Sequence, residues 1–193
     1  MKQKKNSIRS ASNVSLPGSL SGDLDQVQRA GISLIKIEHY DSIYMPKEVL
    51  RRMSEGTRKK YERFMEYHWK VLRNYCPHRS DQIEGMHHTL VAVDCDSDRV
   101  LGYRYFYFPV ESNHCELFNV YVESNYRRKG IATSLIKNAI DISIDKGINK
   151  FTVSMAEKSV ERDSLVRKYT DLSKNYCQLC QFTILYEHEV IQI

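Results

Sequence analysis

No stretch of this 193-residue chain approaches the ~18 consecutive apolar residues of a membrane span, and its N-terminus lacks the apolar segment of a secretory signal. A soluble, unexported, cytoplasmic protein is expected. A disulfide framework is missing as well, since Cys76, Cys95, Cys115, Cys177 and Cys180 form an odd, scattered set that suits reduced thiols. Basic charge is scarce where a nucleic-acid binder would need it. Much of the formal +5 comes from Lys2, Lys4, Lys5, Arg9 and Arg29, opposed by Asp23 and Asp25, so no basic face is expected on the folded part and nucleic acid is not assigned as a partner. Neither a Gly-Lys-Ser/Thr phosphate loop nor a three-glycine dinucleotide turn occurs, which removes two nucleotide-binding fingerprints.

What is present suits one globular domain. Hydrophobic residues make up 41% and charged residues 27%, and the length provides for one core rather than two. Residues 1–30 are serine-rich and poor in large apolar side chains, which predicts a flexible basic tail ahead of a domain over 31–193.

Hydrophobic periodicity then predicts a strand at Ile32 to Ile37, a helix with Pro46 in its first turn, an interruption at Gly56, and a longer helix capped by Thr57 and ending before Pro77. Tyr61, Phe64, Met65, His68, Leu72 and Tyr75 recur at helical spacing and give that helix its apolar face. His68 therefore reads as packed rather than catalytic. Strands at Thr89 to Val93, Val100 to Val110 and Cys115 to Val122 are joined too closely for crossover helices, so they should pair antiparallel. A helix over Ile131 to Lys146 stops at Gly147, and a strand at Phe151 to Met155 should run parallel to the one before it. A helix from Ser159 to Leu172 and a terminal strand near Phe182 to Val190 complete the order β-α-α-β-β-β-α-β-α-β.

The segment richest in chemistry runs from Glu116 to Ala132, where a strand enters a basic loop of Arg127, Arg128 and Lys129 and then a helix. Helix N-termini present unpaired N–H groups and the positive end of the helix dipole, so the arrangement reads as an anion site. Gly130 lets the backbone approach a phosphate, and Ala132 is small enough not to block it. A solvated turn is the plainer alternative.

Arg127, Gly130 and Ala132 resemble the acetyl-CoA signature Gln/Arg-x-x-Gly-x-Gly/Ala of the GNAT acetyltransferase superfamily, and the element order resembles that family over about residues 31 to 190. The resemblance implies an α/β (α+β) fold: a central twisted mixed sheet of about six to seven strands, antiparallel in its N-terminal part, with helices on both faces. It implies acetyl-CoA as cosubstrate, bound by Val120, Tyr121 and Val122 along the strand and by Arg127, Arg128, Lys129, Gly130, Ile131 and Ala132 at the loop, with no metal. The activity implied is direct acetyl transfer to an amine of a small molecule or a protein, by a monomer or homodimer. A CoA-binding sensor without turnover is the alternative.

In that family Glu116 occupies the position of a general base, although an exposed strand carboxylate would look the same. Tyr169 falls in the helix where a tyrosine protonates the departing thiolate. The usual Tyr-x-x-x-Gly-Phe is absent after it, so Tyr176 is the second candidate, and a packing role for Tyr169 stays open. Cys177 and Cys180 lack a second ligand pair, which His87 and His88 do not supply, and read as two ordinary thiols.

Overall fold

The computed structural model describes residues 34–42, 44–75, 87–109, 113–155, 160–176, 181–186 and 189–192, and the elements below are built from these. The first strand, Ile35–Tyr40 (β1), pairs antiparallel with His87–Asp94 (β2), which pairs antiparallel with Val100–Tyr107 (β3). β3 pairs antiparallel with His114–Val122 (β4), as the short connections require. β4 runs parallel to Lys150–Met155 (β5) through the intervening helix Ile131–Asp145 (α3), and β5 runs parallel to Gln181–Tyr186 (β6) through Val160–Tyr176 (α4). Where one terminal strand is expected, the chain reverses and Glu189–Gln192 (β7) returns antiparallel to β6. The sheet thus has seven strands in sequence order, mixed in orientation and flanked by helices.

Both faces of the sheet are covered, which explains why β2 and β3 are buried almost throughout rather than on alternate residues. Leu90, Ala92, Leu101, Phe106, Cys115 and Leu117 pack against Ile131, Leu135, Ile136, Ala139 and Ile140 of α3. Val91, Val93, Val100 and Tyr103 face the other way, onto Val49 of Lys47–Arg51 (α1) and Tyr61 and Met65 of Glu55–Tyr75 (α2). The side chains of His68, Leu72 and Tyr75 lie outside the described set, as do Cys76, Cys177 and Cys180.

Helix ends follow local chemistry. Pro46 precedes α1, where its missing N–H costs nothing, and its carbonyl accepts from Val49 N at 3.0 Å. α2 begins earlier than the sequence predicts. Ser54 Oγ, rather than Thr57, caps it by accepting from Thr57 N at 3.2 Å, and Gly56 sits inside the first turn instead of interrupting the helix. α3 ends as expected, with Gly147 at φ +77° and Ile148 N donating to Ser143 O at 2.9 Å.

Candidate active site

β4 and β5 pair only from His114↔Lys150 to Leu117↔Val153. Beyond Leu117, β4 keeps its partners in β3 but has none in β5 among the described residues, so one edge of its backbone is open. Within this stretch Leu117 faces Phe106 and Val120 faces Arg104, so Phe118 and Asn119 together oppose Tyr105 alone. This bulge bends β4 away from β5 and turns both side chains toward α2, with Phe118 against Tyr105 and Tyr107 and Asn119 Nδ2 3.5 Å from Tyr103 Oη.

The open edge leads into the basic loop through a 3-10 turn at Ser124–Tyr126. Arg128 at φ 64° and Gly130 at φ 81° turn the backbone into α3, a conformation that favours glycine. No side chain caps α3, and its first backbone bond is Ser134 N to Gly130 O at 3.0 Å, so the N–H groups of Ile131, Ala132 and Thr133 have no acceptor within the helix. Positive dipole, free donors and cationic side chains converge there.

A latch that the sequence does not announce holds this turn in place. Glu123, buried at the end of β4, accepts from Arg99 Nη2 at 2.7 Å, from Thr57 Oγ1 at 2.6 Å and from Ser54 Oγ. The strand end is thereby tied to the start of α2 and to the β2–β3 turn. Arg127 folds back and donates from Nε to Val122 O at 3.0 Å.

Around the open edge lies a cleft of about 460 Å³. Its walls include Val120, Tyr121, Val122, Arg127, Arg128, Gly130, Ile131 and Ala132, all assigned to the cofactor from the sequence. Lys129 is not in the wall; its Nζ lies 5.3 Å from the Tyr126 ring centre. Sequence reasoning missed Lys60, Tyr103 and Asn119 on the α2 side, and Ser164 and Lys168 on α4. The four-residue spacing of Ser164 and Lys168, which puts them on one face of a helix, was the available signal. Lys168 Nζ donates to Thr133 Oγ1 at 3.2 Å, and its pKa is lowered by burial and then by the neighbouring Arg128.

Neither proposed acid nor base is part of that wall. Glu116 pairs across the strands with Tyr107 and Thr152, one residue before β4 leaves β5, and its Oε1 is 3.4 Å from His114 Nε2. It projects to the α2 face, since its neighbours Cys115 and Leu117 are buried against α3. Tyr169 lies on the opposite face and is buried, its hydroxyl accepting from Arg104 Nη2 at 2.7 Å. Arg104 pairs with Val120, so this bond sits beneath the open stretch of β4. Burial raises the Tyr169 pKa and the Arg104 charge works against that rise. Tyr176 lies elsewhere, donating to Asp141 Oδ1 at 2.6 Å on the surface.

The profile of the acetyltransferase (GNAT) family matches residues 50–162, more than half of the chain. No curated protein sequence matches. Among solved structures, the chain is similar to an IAA acetyltransferase from Bacillus cereus, with 18% identity, 82% of this chain and 94% of that one covered, and a TM-score of 0.46. It is also similar to a ribosomal-protein-alanine N-acetyltransferase from Brucella melitensis, with 18% identity, coverage of 76% and 91%, and a TM-score of 0.44. An aminoglycoside acetyltransferase from an uncultured soil metagenomic sample gives 16% identity, coverage of 72% and 90%, and a TM-score of 0.46.

Proposed function

Because the chain belongs to the GNAT acetyltransferase family, we propose that it transfers an acetyl group from acetyl-CoA to a primary amine of a small molecule or a protein. The observation that carries this reading is the parting of β4 from β5 beside the uncapped N-terminus of α3. The open backbone of Val120 to Val122 suits the pantetheine amides, and the N–H groups of Ile131 and Ala132, with Gly130 and Arg128, suit a pyrophosphate. Acetyl-CoA supplies an activated acyl group, and the remaining work falls to the chain.

An amine of pKa ~10.4 is neutral in only about one molecule in a few thousand at pH 7, so its proton must be removed before attack. Glu116 receives that proton through water, from the α2 side of β4. A β4 backbone N–H polarises the acetyl carbonyl. As the C–N bond forms and the C–S bond breaks, the thiolate needs one proton. Tyr169 donates it from beneath β4, and Arg104 stabilises the phenolate until solvent reprotonates it.

Residues 1–30 are read as a basic segment apart from the catalytic unit 31–193, and the cytosol as its compartment. No described helix is long and apolar enough to cross a membrane.

The test is calorimetric titration with acetyl-CoA of the wild type and of Gly130→Glu, which adds bulk and negative charge where φ is positive. Saturable micromolar binding, lost in the variant, is expected, followed by release of free CoA when amines are supplied. No binding to the wild type removes the proposal. Tight binding with no CoA release from any amine would reduce the protein to a CoA-binding module.

A further inference from the structure

At the opposite end of the strands from the cleft, His39, Asp41 and His88 converge from β1 and β2. His39 Nε2 is 3.1 Å from His88 Nδ1 and 3.1 Å from Asp41 Oδ1, and His88 Nδ1 is 2.7 Å from Asp41 Oδ1. Three potential ligand atoms thus form a nearly equilateral triangle. A cation at ~2.0–2.1 Å from each, the usual Zn–N and Zn–O length, needs neighbouring ligands roughly 3.3 Å apart in a tetrahedron. Each side of the triangle must open by only a few tenths of an ångström.

We propose that His39, Asp41 and His88 form a binding site for a divalent transition-metal ion of the zinc type, independent of the acetyl-transfer cleft. Two imidazole nitrogens and one carboxylate oxygen are a borderline donor set that suits Zn²⁺ and disfavours Mg²⁺ and Ca²⁺, which take oxygen ligands. Without a metal the triangle cannot be fully hydrogen-bonded. Each imidazole brings at most one proton to it, so at most two of the three contacts are hydrogen bonds. A cation at the centre satisfies all three atoms.

The surroundings keep the ligands ready and set the affinity. His88 is buried against the rings of Phe106 and Phe108, with centroids 5.1 and 4.7 Å away, which fixes its orientation. Zinc takes the neutral imidazole, the form in which an ordinary histidine mostly stands at pH 7. Asp41 is exposed and leaves a fourth position open to water. Two features limit the binding. Lys146 adds a nearby positive charge that both histidines feel, and His88 Nε2 has no hydrogen-bond partner among the described residues to hold its proton when Nδ1 ligates. Micromolar affinity is therefore expected. The bound ion would clip the end of β1 to the start of β2, fastening the edge of the sheet.

The experiment titrates the full-length untagged protein, stripped with chelator, with ZnCl₂ and separately with MgCl₂, by calorimetry and by thermal melting. The expected result is one Zn²⁺ per chain, a higher melting temperature with zinc, and no response to magnesium. His39→Ala and Asp41→Asn change partly exposed positions and should fold. Each should weaken zinc binding by at least the ~10-fold that losing an outer partner of a metal site costs, while acetyl-CoA binding is unchanged. Absence of zinc binding by the wild type, or unaltered binding in both variants, overturns the proposal.

Discussion

Arg104 is fully buried, yet among the described residues its Nε and Nη1 have no partner and its one hydrogen bond goes to Tyr169. A buried cation so poorly compensated costs several kcal/mol, and removing its remaining partner should add about 1–3 kcal/mol. Tyr169→Phe is therefore expected to lower both stability and kcat, whereas Glu116→Gln should cut kcat by about 10²–10⁴-fold with little change in melting temperature. Thermal melts beside pH–rate profiles separate these effects. A Tyr169→Phe enzyme whose rate falls only with its folded fraction would make Tyr169 structural, and a Glu116→Gln enzyme that keeps its acid limb would remove Glu116 as the base. Both residues became candidates in the sequence only through the family resemblance. Arg104 was not, because a lone arginine in a strand carries no sign of being turned inward.

At the scale of the element, β4 carries the open edge proposed for the cosubstrate, and its neighbour β3 is fitted to it at one point. A Cβ on Gly102 would stand 2.6 Å from Tyr121 O and 3.2 Å from Val122 Cγ2. Backbone cannot yield as a flexible side chain does, so Gly102→Ala must push β4 at the residues assigned to pantetheine. Destabilisation of about 1–3 kcal/mol is expected, together with weaker acetyl-CoA binding measured by calorimetry. Unchanged affinity would mean that the open edge does not bind the cosubstrate. The bounds of β4 and α3 were readable from periodicity and from Gly147. The bulge was not, since Phe118 and Asn119 look like an ordinary alternating pair until β3 is set beside them. The cap of α2 was misassigned for a related reason: Ser54 and Thr57 are both good caps, and Thr57 is drawn instead to Glu123, distant in sequence.

For the whole molecule, an ion-pair cluster joins the edge strand to the helical layer. Arg52 donates to Glu38 of β1 at 3.2 Å from Nη1 and to Asp98 of the β2–β3 turn at 2.8 Å. The Arg52 hydrogen bond is the main reason that the Glu38 carboxyl is held down to about 2, against 4.5 for the free side chain. A depressed carboxylate pKa stabilises the fold above the unfolded value, and that contribution is lost as pH falls from about 4.5 toward 2. Urea titrations should find Glu38→Gln less stable than the wild type by about 1–2 kcal/mol at pH 7, with the gap closing near pH 2. An equal gap at both pH values would show that the ion pair contributes nothing.

The sequence by itself determined the element order as far as β6, the mixed pairing of the strands and the basic loop ahead of α3, because each rests on local periodicity, short connections or a motif confined to a few residues. Only the tertiary structure decided where β4 leaves β5, that Lys168 and Ser164 wall the cleft, that Arg104 reaches Tyr169 and that His39, Asp41 and His88 meet. Those arrangements join side chains far apart in the chain, and the forces that place them, packing and desolvation across the sheet, leave no local pattern in the residues they position.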